Sequence, residues 1–250
     1  MIVEFVGLPG SGKSTAAQRL LDRAKESEII ASQLPLAPGR WPEGTAGSLT
    51  AFLEETRLMV SRTITVATYP LMLRGLIDGV RLSRRSRGEK WFALRHAVVT
   101  AHAVRHAQAI SGCHELVVAS EGMCQKAFSM FVEGAGVATE QTVRRFVVGA
   151  PRSDVVIFLQ TSPRVAYERL QNRDYGPLSH RFDDLSEAEL LGRFSDGQRL
   201  ILDAAEHLAA RSRSSTQTIV LPADDLSKAL ERISNEIFPS LQKRIGSREQ

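Results

Sequence analysis

The run Gly7-Leu8-Pro9-Gly10-Ser11-Gly12-Lys13-Ser14-Thr15 sets two glycines, a lysine and a hydroxyl residue at the spacing Gly-x-x-x-x-Gly-Lys-Ser. These residue types at this spacing hold phosphate. Backbone N–H groups close around its oxygens, the lysine adds a reaching positive charge, and the hydroxyl beside it ligates a divalent cation. Gly10 and Gly12 remove Cβ atoms where the backbone must approach oxygen, and they admit the positive φ values of a tight cradle. Such a loop needs a strand before it and a helix after it, so that the positive end of the helix points at the same anion. Both are predicted: Ile2 to Val6 reads as a buried strand, and Ser14 to Lys25 repeats Ala16, Ala17, Leu20, Leu21 and Ala24 at helical spacing. The expected ligand is a nucleoside triphosphate with Mg²⁺, Lys13 reaching its β- and γ-phosphates and Ser14 holding the metal.

A carboxylate is the next candidate. Glu115-Leu-Val-Val-Ala-Ser-Glu121-Gly122 is an apolar run that delivers Glu121 at its C-terminal end, and ligands of open parallel sheets sit at that end. Glu121 would hold metal-bound water or take the proton of an acceptor hydroxyl. A helix-capping role at the residues that follow is the alternative. Arginines come third. After Asp154-Val-Val-Ile-Phe-Leu-Gln160, Ser162-Pro163 marks a helix start, with Ser as cap and Pro in the first turn. Arg169 and Arg173 lie four apart on that helix and so share a face, where they would clamp a transferring phosphate or form a solvated basic surface. Arg181, in the loop beyond, would join them on closure.

The elements that must position these groups alternate between short β-branched runs and longer helical patterns, the signature of βαβ units around a mostly parallel sheet. Strands are expected at Ile2 to Val6, Glu115 to Ser120, Asp154 to Gln160 and Gln217 to Leu221, with a weaker one at Glu28 to Ser32. Leu34 to Gly47 carries Pro35, Pro38, Gly39, Pro42, Gly44 and Gly47 around Trp41 and reads as a loop. A long helical stretch from about Ser48 to Ser111 follows, broken near Tyr69-Pro70 and around Arg84 to Glu89. The chain of 250 residues, 43% hydrophobic, suits one α/β domain over 1–250. Its expected parts are a loop and helical acceptor-binding insertion at 33–112, a lid at 169–185 and a frayed tail at 243–250.

Composition narrows the class. No apolar run approaches the roughly 18 to 20 residues that span a bilayer, and the start carries Glu4 in a strand pattern instead of a signal peptide. Two cysteines, Cys113 and Cys124, make no disulfide framework, so a cytoplasmic protein is expected. A formal charge of +4 suits an anionic ligand as well as ordinary solubility, and nucleic acid is not the expected partner. Neither an Asn-Lys-x-Asp nor an Asp-x-x-Gly element of a GTPase switch is present. Arg81 to Lys90 is strongly basic ahead of Trp91-Phe92, and reads as a solvated helix end before an acceptor-phosphate or RNA contact. His96, His102 and His106 lack a convergent third ligand for a metal. Arg57 and Arg62 stand in the insertion without a distinguishing spacing, and Met123, Phe128, Met130 and Phe131 read as core or pocket lining.

Taken together, Gly7 to Thr15, the strand ending in Glu121, Val155 to Pro163 leading to Glu168-Arg169 and Arg173, and a last strand Thr218 to Leu221 followed by Pro-Ala-Asp-Asp resemble the thymidylate kinase and deoxynucleoside kinase group of P-loop kinases. The resemblance covers about 1 to 25 and 115 to 230. It implies a three-layer αβα fold with a five-stranded parallel sheet in the order 2-3-1-4-5, an arginine-bearing lid over ATP, and Ala223, Asp224 and Asp225 near the adenine. The implied activity is ATP- and Mg²⁺-dependent transfer of the γ-phosphate to a small-molecule acceptor. The implied donor site is Gly7, Leu8, Pro9, Gly10, Ser11, Gly12, Lys13, Ser14 and Thr15 with Arg169, Arg173, Ala223 and Asp224; Ser14 and Glu121 are the implied metal side, and Lys13, Glu121, Arg169 and Arg173 the catalytic set. Glu121 is followed by Gly122 where the family carries arginine. A nucleotide-binding regulatory ATPase without a small-molecule acceptor is the rival reading, and monomer and homodimer are both open.

Overall fold

Strand β1 (Ile2–Gly7) is buried at all six positions, as a central strand covered on both faces must be. It pairs in parallel with β3 (Leu116–Ala119) on one side and β4 (Val155–Gln160) on the other. Strand β2 (Ala31–Gln33) lies outside β3, and β5 (Gln217–Pro222) outside β4, giving the order β2-β3-β1-β4-β5. The registers Glu4 to Ala119 and Gly7 to Leu159 bring the C-terminal ends of these strands to one edge. In this computed structural model, residues 1–34, 61–83, 86–110, 115–132, 139–172, 185–210 and 216–246 are described.

Alternation along the strands divides the apolar residues between two cores. Val3 and Phe5 face α1 (Lys13–Glu26), α8 (Leu226–Arg232) and α9 (Phe238–Gly246), through Leu20, Ala229, Phe238 and Leu241. Ile2, Val6 and Leu8 face the opposite layer. That layer contains α2 (Pro70–Leu82), α3 (Arg87–Ile110), α4 (Met123–Phe131), α5 (Glu140–Gly149) and α7 (Glu187–Ala210). Helix α6 (Pro163–Gln171) buries Ala166 in the same core. The architecture is therefore the three-layer αβα fold, with the five-stranded parallel sheet in the expected order.

The helical insertion breaks where the sequence predicts. Residues 61–68 are helical, Tyr69 ends that run, and Pro70 opens α2 in the first turn, where its missing N–H is no loss. The second break ends in a reciprocal cap: the Ser86 N–H donates to Glu89 Oε2 at 2.9 Å, and the Glu89 N–H to Ser86 Oγ at 3.4 Å. Helices α2 and α5 cross closely because a Cβ on Gly75 would sit 2.8 Å from Phe146 Cβ. An Arg145–Asp78 ion pair at 3.2 Å spans the crossing.

Two expectations need correction. The weak strand begins at Ala31, later than predicted, because Glu28 turns back with φ 57 to close α1, and the Ile29 N–H donates to the Ala24 carbonyl at 3.0 Å. Residues 243–246, expected in a frayed tail, are helical: α9 continues to Gly246 because Ile245, four residues after Leu241, is buried with it. Residues 247–250 lie outside the described residues, as do the Pro-rich loop from residue 35, Arg57, Cys113, Arg173 and Arg181. No described helix is long and apolar enough to cross a membrane.

Candidate functional site

The loop between β1 and α1 is shaped by its glycines. Gly10 and Gly12 take φ 85 and 88, a region L-residues enter only with strain. Their neighbours also leave no space: a Cβ on Gly10 would meet the Ala166 carbonyl oxygen of α6 at 2.2 Å, and one on Gly12 would meet Leu226 Cδ1 at 2.6 Å. The Ser11 N–H donates to the Leu8 carbonyl at 3.0 Å. Lys13 Nζ lies across the loop and donates to the carbonyls of Gly7 at 3.0 Å and Leu8 at 2.8 Å. Leu8 and Pro9 are buried beneath the cradle, whereas Ser14 and Thr15 are exposed in the first turn of α1. The Ser11 hydroxyl is buried with no hydrogen-bond partner among the described residues, which is rare for a polar atom and fits an oxygen-rich ligand. A phosphate-bearing nucleotide thus suits the residues present, with Ser14 accessible to its metal.

Sequence spacing put Arg169 on the right helix, but its guanidinium has another occupation in this structure. It donates to the carbonyls of Ala223 at 2.9 Å and Asp224 at 2.5 Å, on the turn after β5. The Asp224 carboxylate accepts the Ser162 N–H at 2.6 Å, and Asp225 caps α8 by accepting the Lys228 N–H. Ser162 stands at the cap position of α6, yet its hydroxyl makes no capping hydrogen bond. Arg169, Ala223 and Asp224 are therefore brought together, beside the loop that Gly10 and Gly12 press against α6 and α8.

Across β1 lies the carboxylate side. Glu121 follows β3 and pairs with Lys126 Nζ at 2.5 Å; the lysine side chain is 8% exposed and the glutamate 51%. Partial burial raises the Glu121 pKa. The charge and hydrogen bond of Lys126 outweigh that, with Lys13 and His96 adding to it, and hold the carboxyl below its usual value. Glu121 is thus ionised at neutral pH and within electrostatic reach of the loop lysine. It is not the cap of α4.

That cap comes from β1. The Glu4 side chain is 1% exposed, and its Oε1 accepts the Gln125 N–H at 3.1 Å. The Ser153 hydroxyl donates to Oε2 at 3.0 Å, and the N–H groups of Cys124 and Met123 also point to the carboxyl. Burial pushes Glu4 up to about 7 against these hydrogen bonds, all from neutral donors. Gly122 has no side chain because Glu4 fills the space: a Cβ there would sit 2.2 Å from Glu4 Cδ. This accounts for the glycine after Glu121. Beside it, the Cys124 thiol is fully buried, and burial with the nearby Glu4 charge raises its pKa well above the ordinary thiol value.

Sequence reasoning missed Glu4, Gln125 and Lys126. The available signal was polarity in the wrong place: a glutamate inside an otherwise apolar strand, and two polar residues in a helix whose remaining positions are almost all apolar. Met123, Phe128, Met130 and Phe131 are core. His102 is engaged with Thr65 Oγ1 at 3.2 Å, and its ring centroid lies 6.2 Å from that of His106. Among the described residues no group of three or more His, Cys, Asp or Glu is placed to hold a metal. An open cleft lined by Tyr69, Gln108, Arg152 and Asp154 lies where β4 begins, at the sheet edge away from the glycine loop.

No protein-family model matches the sequence, and no curated protein matches it. Among solved structures the chain is similar to the deoxyadenosine kinase from M. mycoides with bound dATP, at 14% identity and a TM-score of 0.48 over 95% of this chain and 99% of that one. The same kinase with bound dCTP gives 13% identity and a TM-score of 0.47 over 95% and 98%.

Proposed function

We propose that the protein is an ATP- and Mg²⁺-dependent phosphotransferase that passes the γ-phosphate to a small-molecule acceptor, a nucleoside, a nucleotide or another hydroxyl metabolite. The observation that carries this reading is the pairing of two ends of one sheet edge: a glycine cradle with Lys13, and an ionised Glu121 facing it. Bound Mg²⁺-ATP supplies the transferable group and a cation to neutralise its charge. Lys13 would exchange its carbonyl partners for phosphate oxygens, the backbone N–H groups of Gly10, Gly12 and Lys13 would close around them, and Ser14 would ligate the metal.

Glu121 acts mainly by orientation. A carboxylate held below its normal pKa is a weak base but a strong hydrogen-bond acceptor, and the loose transition state of phosphoryl transfer asks little of a base. It aligns the acceptor hydroxyl or a metal-bound water. Arg169 orders the turn Ala223 to Asp225 on the nucleoside side, and Arg173 is the arginine that would reach the transferring phosphate on closure of the following segment.

The test is ADP release from Mg²⁺-ATP across nucleosides, nucleoside monophosphates, sugars and aminoglycoside-like compounds, with Lys13→Ala and Glu121→Gln in parallel. Stimulation by one acceptor class, lost in both variants, supports the assignment. Turnover that no acceptor raises, with Glu121→Gln equal to the parent, sinks it.

A further inference from the structure

The end of β3 leaves a gap in the sheet beside the phosphate cradle. In β1 the Met1 carbonyl accepts from Val117 on the β3 side, and the Ile2 carbonyl accepts from Asp154 on the β4 side. Alternation therefore turns the backbone groups of odd-numbered residues, Gly7 included, toward β3. Pairing with β3 stops at Ala119 opposite Glu4, after which the chain bends through Glu121 and Gly122 into α4. The Gly7 N–H faces that gap. Gln125, 4% exposed, fills it: its Oε1 accepts the Gly7 N–H at 3.1 Å. Its own N–H is held by Glu4, three residues before Gly7 on the same strand. The beginning of α4 is thus fastened to β1 twice, once under Gly122 and once at the first residue of the cradle.

We propose that Glu4 and Gln125 are positioning residues for the transfer reaction, fixing the Glu121 turn against the glycine loop from inside the core. This rests on the phosphotransferase reading. Phosphoryl transfer requires donor and acceptor in line, and misplacement by about 1 Å is enough to cost on the order of 10²-fold in rate. The backbone cradle and the half-exposed glutamate come from different strands, so their separation has to be set through the core between them. The buried Glu4–Gln125–Gly7 connection does this, and its bonds span 118 and 121 residues of sequence.

The experiment compares Gln125→Met, Glu4→Leu and the conservative Glu4→Gln with the parent. Gly7 amide exchange is followed by NMR, together with acceptor-dependent kcat, KM for Mg²⁺-ATP and Tm. Gln125→Met is expected to speed Gly7 exchange at least about tenfold. In the same variant kcat falls about tenfold and KM for Mg²⁺-ATP stays within about threefold. Glu4→Leu behaves likewise if it folds, and Glu4→Gln, which keeps an acceptor oxygen for the helix N–H groups, retains most of kcat. Unchanged Gly7 exchange in Gln125→Met overturns the proposal, as does a kcat loss that merely follows Tm through the series. Should no acceptor stimulate even the parent, the phosphotransferase reading has failed by itself, and Gly7 exchange alone still decides whether the brace exists.

Discussion

Two glutamates flank the start of α4, and their surroundings differ in kind. Glu121 is half-exposed and has an ammonium at hydrogen-bond distance; Glu4 is sealed in the sheet and sees only N–H and O–H dipoles. The first is held ionised. The second is pushed toward neutrality, to about 7. Glu121 keeps part of its water and gains a cation, whereas Glu4 keeps neither, and its hydrogen bonds from neutral donors do not make up the loss. In the proposed phosphotransferase the solvated, charged carboxylate would face ligand, while the sealed one organises backbone.

Four substitutions test that contrast. Largest in effect, Glu121→Gln should lower acceptor-dependent turnover by at least about 10²-fold, the cost of a misplaced acceptor, with Tm unchanged; a parallel loss of Tm would place Glu121 with the structural carboxylate instead. Next, Glu4→Gln should flatten the pH dependence of stability. Between 4.5 and about 7 the folded state keeps a proton that the unfolded state has released, so the parent loses stability as pH rises through this window and levels off above it. At about 1.36 kcal/mol for each pH unit, the span amounts to roughly 3 kcal/mol. Urea titrations at pH 5, 6, 7 and 8 would read it, and equal slopes in parent and variant would contradict the sealed environment. Third, Gly122→Ala should destabilise by about 1–3 kcal/mol through overpacking against Glu4, measured as a shift in the urea midpoint. Smallest, Lys126→Met should change stability by no more than about 1 kcal/mol, because water can solvate the remaining half-exposed Glu121, while turnover drops. A loss of several kcal/mol would mean that Glu121 is more deeply enclosed than its surface exposure indicates.

What the sequence made legible follows from distance along the chain. Gly7 to Ser14 is contiguous, so its types and spacing carried the cradle entire. Glu121 could be placed because a strand end is a local feature with a known meaning in parallel sheets. The strand order came from the family resemblance and agrees with the observed pairing. The Glu4 contacts were illegible because their partners are more than a hundred residues away, and nothing local predicts which helix begins beneath a strand. Arg169 shows the same limit differently. Spacing gave its helix face, but its partners, the carbonyls of Ala223 and Asp224, come from a turn whose position is fixed by β4–β5 pairing.

Cys124 gives this network a chemical reporter. Its thiol is shut inside the first turn of α4 and disfavoured as thiolate, so alkylation requires that turn to open first. Under a reagent that reacts slowly compared with reclosing, the labelling rate of the Cys124 peptide, resolved by mass spectrometry from that of Cys113, measures the free energy of local opening. Nucleotide added to the native protein would slow that rate only to the extent that filling the cradle steadies the helix on the far side of β1.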